Sequence, residues 1–209
     1  MKYSEFADIR KNTFQKAYDL ILERLDDDKC YNIVELGSSR SFVNGGVPGC
    51  LVPNSKFWNP DQPKFWDWGA GIFTKVFSEN LQGKNFKLYT VDPNNGANFI
   101  VSTICRDNKE VIVCTDYSSN FLKNIDFKID FLYMDHMDIC EEACVQHLQD
   151  AKLVIDNNLM SENGVILIDD VGEDNTNSKS KYSIPYLLED GYTQILHDYQ
   201  VILVKTQTE

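Results

Sequence analysis

Short apolar runs alternate with amphipathic stretches along this chain, and that alternation predicts its elements. Residues 32–36, 87–91, 110–114, 129–134 and 165–168 have the length and composition of buried strands. Helical periodicity fills the gaps. It predicts a helix over 4–25, with Phe14, Ala17, Tyr18, Ile21 and Leu25 on one stripe. Further helices are expected at 69–81, 95–105, 118–124 and 183–189. Between the runs at 129–134 and 165–168, residues Cys144, Leu148, Ala151, Ile155 and Leu159 share one helical face. Two last strands, 192–196 and 201–205, are separated by His197, Asp198, Tyr199 and Gln200, a connection short enough for a hairpin.

Strand–helix alternation of this kind implies a single α/β domain over residues 1–209, a doubly wound and mostly parallel sheet closed by a C-terminal antiparallel hairpin. Two stretches interrupt it. Residues 172–181 (GEDNTNSKSK) read as a polar loop. Residues 42–68 carry Gly45, Gly46, Gly49, Pro48, Pro53, Pro60 and Pro63, which argue against regular structure, and also Phe57, Trp58, Phe65, Trp66 and Trp68, which argue against disorder. That aromatic-rich insertion is an acceptor wall over the site, packing on the sheet edge, or an oligomer interface.

Composition narrows the function classes. The chain has 209 residues, 43% of them hydrophobic, enough for one sizeable core. Its formal net charge of −12 disfavours nucleic acid as a partner, because phosphate neutralisation needs clustered Lys and Arg. No apolar run is long enough for a membrane span, and the N-terminal MKYSEFADIRK lacks the apolar core of a signal peptide. The six cysteines show neither CxxC nor zinc spacing, so reduced thiols in a cytoplasmic protein are expected.

Acids at the strand ends carry the candidate chemistry. Asp135 follows the run at 129–134, and Asp169 and Asp170 follow the run at 165–168. Parallel neighbouring strands bring such residues to one carboxyl edge, where open α/β sheets bind ligands. Three carboxylates there repel one another, and a hard divalent cation on oxygen ligands relieves the repulsion; Mg²⁺ suits the residue types. Asp92 ends the strand at 87–91, where an acid can accept both hydroxyls of a ribose or cap a helix starting near Asn94. Asp116, followed by Tyr117, ends the strand at 110–114 and can equally cap the helix at 118–124. Gly37 ends the first strand, where glycine permits a close backbone approach and a positive φ.

Element order over residues 30–205 resembles the Rossmann-like fold of class I S-adenosylmethionine-dependent methyltransferases. The segments DFLYMDHMD and VILIDDV look like the metal-dependent O-methyltransferases of the catechol and macrocin types. That resemblance implies a cofactor loop beginning at Glu35, Leu36 and Gly37 and continuing through Ser39. It implies contacts of Asp92, Asp116, Tyr117 and Asp135 with S-adenosylmethionine, and Mg²⁺ on Asp135, Asp169 and Asp170. The acceptor is then a small hydroxylated molecule, such as a sugar or catechol-like diol. Where the catechol type has a lysine, this chain has Asp138; where the macrocin type has an acid, it has Met137. The general base is therefore Asp138 or His136, the latter also placed to stack beside adenine. Ser39 and Ser41 stand where the family has later glycines. A metal-free methyltransferase, a nicotinamide-dependent oxidoreductase and a non-catalytic module of the same fold are the rival readings.

Overall fold

The computed structural model describes residues 1–38 and 72–205. Ser39 and the aromatic-rich stretch at 42–68 lie outside the described residues. Seven strands form one sheet: β1 (Tyr31–Leu36), β2 (Phe86–Val91), β3 (Val111–Cys114), β4 (Ile129–Met134), β5 (Met160–Ile168), β6 (Tyr192–His197) and β7 (Val201–Lys205). Their order is β3-β2-β1-β4-β5-β7-β6. The first five are parallel, and β7 inserts antiparallel between β5 and β6. This is the doubly wound, Rossmann-like sheet with a terminal hairpin that the alternation predicts.

Register sets where the strands stop. Leu36 pairs with both Val91 and Met134, Val91 with Cys114, and Met134 with Ile168. All five parallel strands therefore end level. One further rung extends the ladder, with Gly37 N donating to Val91 O (2.8 Å), Asp92 N to Cys114 O (3.1 Å), Asp135 N to Leu36 O (2.8 Å) and Asp169 N to Met134 O (3.1 Å). Gly37, Asp92, Asp135 and Asp169 thus form a single row.

Helices cover both faces, as a parallel sheet requires. Alternate residues Ile33, Phe131, Tyr133, Val165 and Leu167 pack under α1 (Lys11–Arg24) and α2 (Ile72–Asn80). Phe14, Phe73 and Phe77 fill that layer, with the Phe73 and Phe77 rings stacked at 4.1 Å. On the opposite face, Val34, Leu36, Leu132, Met134, Ile166 and Ile168 pack under α4 (Ser118–Asn124), α5 (Glu141–Asp156) and α6 (Ser183–Glu189). A further helix, α3 (Asn95–Ile104), buries Ala97, Ile100, Val101 and Ile104 beside β3. Among the described residues, no helix is long and apolar enough to cross a membrane.

Two expectations need correction. The helix expected over 4–25 starts only at Lys11: Ser4–Phe6 and Asp8–Arg10 are separate 3₁₀ turns, with Tyr3 and Asp8 at positive φ. The buried face of α5 is Ala143, Cys144, His147, Asp150, Ala151 and Val154, so Leu148 and Ile155 are only half-buried. His147 and Asp150 occupy inward positions because partners at the end of β4 receive them. The stretch 172–181 is a loop, as its composition predicts, and within it Ser178, Lys179 and Ser180 are fully buried.

Candidate functional site

The level strand ends make the site. At the end of β1, Gly37 has φ +91°, and a Cβ there would lie 2.5 Å from His136 Cα and 2.6 Å from His136 N. Only glycine lets the chain leave β1 across the start of the β4 loop. The next residue is held from the other side, because Ser38 N donates to Asp92 Oδ2 (3.1 Å). Asp92 Oδ1 accepts from Asn94 N (2.8 Å). Asn94, not Asp92, caps α3, its side chain accepting from Gly96 N and Ala97 N. Asp92 therefore ties the first two strand ends together at the edge.

Glu35 lies one layer below. Its carboxylate is buried against α2, where Thr74 Oγ1 donates to it. Burial pushes its pKa up to about 8, against the opposing pull of the Thr74 hydroxyl. Asp116 accepts from Tyr117 N (2.8 Å) and from the Asn120 side chain (2.7 Å), so it braces the first turn of α4. Tyr117 is 70% exposed beside it.

Asp135, Asp169 and Asp170 come together: one oxygen from each lies within 4.8 Å of the others. Continued strand geometry would point Asp169 and Asp170 to opposite faces. Asp170 adopts φ +54°, which breaks the alternation and turns both carboxylates toward Asp135. Protein cations meet them there. Arg10, in the last 3₁₀ turn before α1, forks onto Asp169, with Nε 2.8 Å from Oδ1 and Nη2 2.5 Å from Oδ2. Lys179 Nζ lies 2.8 Å from Asp135 Oδ1 and 3.1 Å from Asp170 Oδ2. Tyr133 Oη donates to Asp135 Oδ2 (3.0 Å), Gln200 Nε2 to Asp169 Oδ1 (2.6 Å), and Tyr199 Oη to Asp170 Oδ1. Every oxygen of the three carboxylates thus faces a protein donor.

Electrostatics follow from that pairing. Burial alone would discharge the Lys179 ammonium, but Asp135, Asp169 and Asp170 overrule it and raise its pKa. Burial likewise works against an ionised Asp135, yet the Lys179 ammonium holds that carboxyl below its ordinary range. Asp169 moves the other way, pushed up by burial and by the charge of Asp135 against the pull of Arg10. Burial, with Asp170 alongside, pushes Tyr199 up to about 12.

His136 belongs to a different cluster. Its Nε2 is 3.0 Å from Asp150 Oδ2, and its ring stacks on that of His147 at 4.2 Å. Asp150 also accepts from Ser118 Oγ (2.7 Å) and Gln146 Nε2 (3.0 Å). His147 Nε2 contacts His136 O (3.1 Å), and burial keeps His147 neutral by lowering its pKa well below the usual value. Asp138 is exposed on the loop after β4.

Sequence reasoning does not single out Arg10, Lys179, Tyr199 or Gln200. A signal for Arg10 exists: the stripe Phe14, Ala17 and Ile21, run back one turn, lands on it. Gln200 follows from topology, because Ile168 pairs with Val201 and sets the preceding residue beside Asp169. Lys179 carries no local signal in its polar segment.

No protein-family model matches the chain, and no curated protein matches it in sequence. Solved structures do match it in fold. The S-adenosylhomocysteine-bound methyltransferase PaMTH1 of Podospora anserina has a TM-score of 0.60 at 13% identity, over 95% of this chain and 77% of that one. The N-methyltransferase NodS of Bradyrhizobium japonicum, in complex with S-adenosyl-L-homocysteine, scores 0.56 at 9% identity, over 96% and 89%. An rRNA methylase of Streptococcus thermophilus scores 0.51 at 15% identity, over 92% and 95%. The chain has the class I methyltransferase fold.

Proposed function

We propose that this chain is an S-adenosylmethionine-dependent methyltransferase acting on a small hydroxylated acceptor, such as a sugar or catechol-like diol. The observation that carries the reading is the joined pair of strand ends, in which Gly37 presses onto the His136 backbone while Asp92 holds Ser38 N. A nucleotide-like cofactor is bound at such a switch point, outside the carboxyl ends of the strands. The fold neighbours solved with S-adenosylhomocysteine support the same cofactor.

In this reading the turn at Gly37 and Ser38, continuing to Ser39, receives the methionine end. Asp92, at the end of β2 beside the Gly37 turn, accepts from the ribose hydroxyls. Asp116 and Tyr117 border the adenine, and Glu35 supports the loop from below. Methyl transfer from a sulfonium is an in-line displacement, so positioning dominates over covalent help. Asp135 is the acid of its cluster that reaches the surface of the edge, its side chain 17% exposed against 0% and 1% for Asp169 and Asp170. We assign it to the acceptor hydroxyl. Asp138, exposed on the same loop, takes the proton in preference to His136, whose Nε2 is turned to Asp150. The resemblance to metal-dependent O-methyltransferases implies Mg²⁺ on Asp135, Asp169 and Asp170. Protein donors stand against all of those oxygens, so no step here runs through a metal. The net charge of −12 favours a small acceptor over an RNA.

Calorimetry tests this directly. S-adenosylmethionine and S-adenosylhomocysteine should both bind, and Asp92→Ala should weaken binding by about 1–3 kcal/mol, the cost of losing a charged acceptor. A folded chain that binds neither compound removes the proposal.

A further inference from the structure

The charge balance of the acid cluster has an unusual source. We infer that Lys179 is the cluster's resident cation: its ammonium fills the place between Asp135 and Asp170 that a divalent metal needs, so the native site excludes Mg²⁺, and a metal site opens only when Lys179 is removed.

Geometry places the ammonium centrally. Nζ lies 2.8 Å from Asp135 Oδ1, 3.1 Å from Asp170 Oδ2 and 3.1 Å from Met137 O. Those three acceptors use all three of its N–H donors. Met137 has φ +65°, a left-handed backbone that brings its carbonyl to the nitrogen. A metal bonded to oxygens of Asp135 and Asp170 at about 2.1 Å would sit almost against this ammonium, so one cation has to leave.

The surrounding chain is built to keep Lys179 in place. Lys179 is fully buried, as are Ser178 and Ser180 on either side. Ser180 N donates to Ser178 Oγ (3.1 Å), and Ser180 Oγ donates to Asn175 Oδ1 (3.0 Å). Cys144 Sγ of α5 reaches Ser178 O (3.4 Å), and Ile184 N of α6 donates to Ser180 O (3.0 Å). Swinging the ammonium out would break this anchoring and strand a charged group in a dry segment. Arg10 completes the arrangement by occupying both oxygens of Asp169. The donor set is therefore of the right type for Mg²⁺ but already satisfied by the protein.

Ion binding at this cluster stands apart from the methyltransferase reading, so a metal titration tests it alone. Mn²⁺ titration followed by electron paramagnetic resonance is the experiment, with wild type, Lys179→Met and Asp170→Asn compared after chelator treatment. Wild type should bind Mn²⁺ no better than Asp170→Asn. Lys179→Met, which keeps the side-chain length and removes the charge, should bind one Mn²⁺ at least about tenfold more tightly than wild type. A folded Lys179→Met that gains no Mn²⁺ binding overturns the inference. So does wild-type binding that Asp170→Asn abolishes, a comparison that holds even if the Lys179 variant does not fold.

Discussion

Arg10→Met removes a cation from a carboxylate that has no water to fall back on. Asp169 is fully buried, while the Arg10 side chain is 13% exposed. With charge centres about 4 Å apart and an effective dielectric of about 20, the lost attraction is about 4 kcal/mol. Breaking one partner of a buried pair typically costs about 3–5 kcal/mol, because the other charge is left uncompensated. Gln200 and the buried Lys179 ammonium soften the loss without replacing the fork. A cost of that size is a large fraction of the roughly 5–15 kcal/mol that holds a domain folded. Urea unfolding read by circular dichroism should show a midpoint lowered by about 1–2 M at an m-value of about 2–3 kcal/mol/M. The double variant Arg10→Met, Asp169→Asn should be more stable than Arg10→Met alone, since it buries no unpaired charge. A single-variant cost below about 1 kcal/mol, or strictly additive costs in the pair, would refute the view that Asp169 depends on Arg10.

Two further outcomes are expected. Gly37→Ala should lose about 2 kcal/mol or more in thermal or urea unfolding, because its Cβ meets His136 backbone that cannot yield and its φ is left-handed; Gly172→Ala, also left-handed but with nothing within 4 Å, should lose clearly less, and equal losses would discredit the close-approach reading. Glu35 has a folded pKa raised from 4.5 to about 8, so the folded state holds a proton that the unfolded state releases. Its contribution to stability is complete below about pH 4.5 and fades as pH rises through about 8. Glu35→Gln should flatten that decline across the same window in parallel denaturation series, and unchanged slopes would mean that Glu35 is ionised when folded.

Why the sheet is legible in the sequence and the N-terminal segment is not comes down to range. Parallel strands are buried on both faces, so 129–134 and 201–205 stand out as apolar runs and match β4 and β7 in both bounds. The helix expected over 4–25 overruns α1 because apolar spacing does not register a single left-handed residue such as Asp8. Apolar spacing also leaves His147 and Asp150 out of the predicted stripe of α5, although stacking on His136 for the first and hydrogen bonds from Ser118 and Gln146 for the second make them cheaper to bury. The polar composition of 172–181 marks a loop but not its buried centre, since the partners there are Asp135 and Cys144, far away in sequence.

The acid cluster shows what electrostatic reasoning on a sequence can and cannot determine. Level parallel strands put Asp135 and Asp169 side by side, and the turn at Asp170 adds a third carboxylate. Their mutual repulsion demands positive charge whatever else the chain contains. The demand specifies sign and place, not identity. Mg²⁺ answers it from solution, whereas Arg10 and Lys179 answer it from positions 159 residues before Asp169 and 44 residues after Asp135. Nothing local to either basic residue announces that partnership. The two answers part company chemically: a bound metal lends its charge to an incoming oxygen, whereas an ammonium with its three N–H bonds spent on Asp135, Asp170 and Met137 has none left to give. In the second arrangement the cations set the ionisation of Asp135, the one acid that reaches the edge, and any influence on an acceptor passes through that carboxylate. Charge-keeping and charge-removing substitutions at Lys179 should therefore differ in metal uptake first, and in chemistry only as far as Asp135 is disturbed.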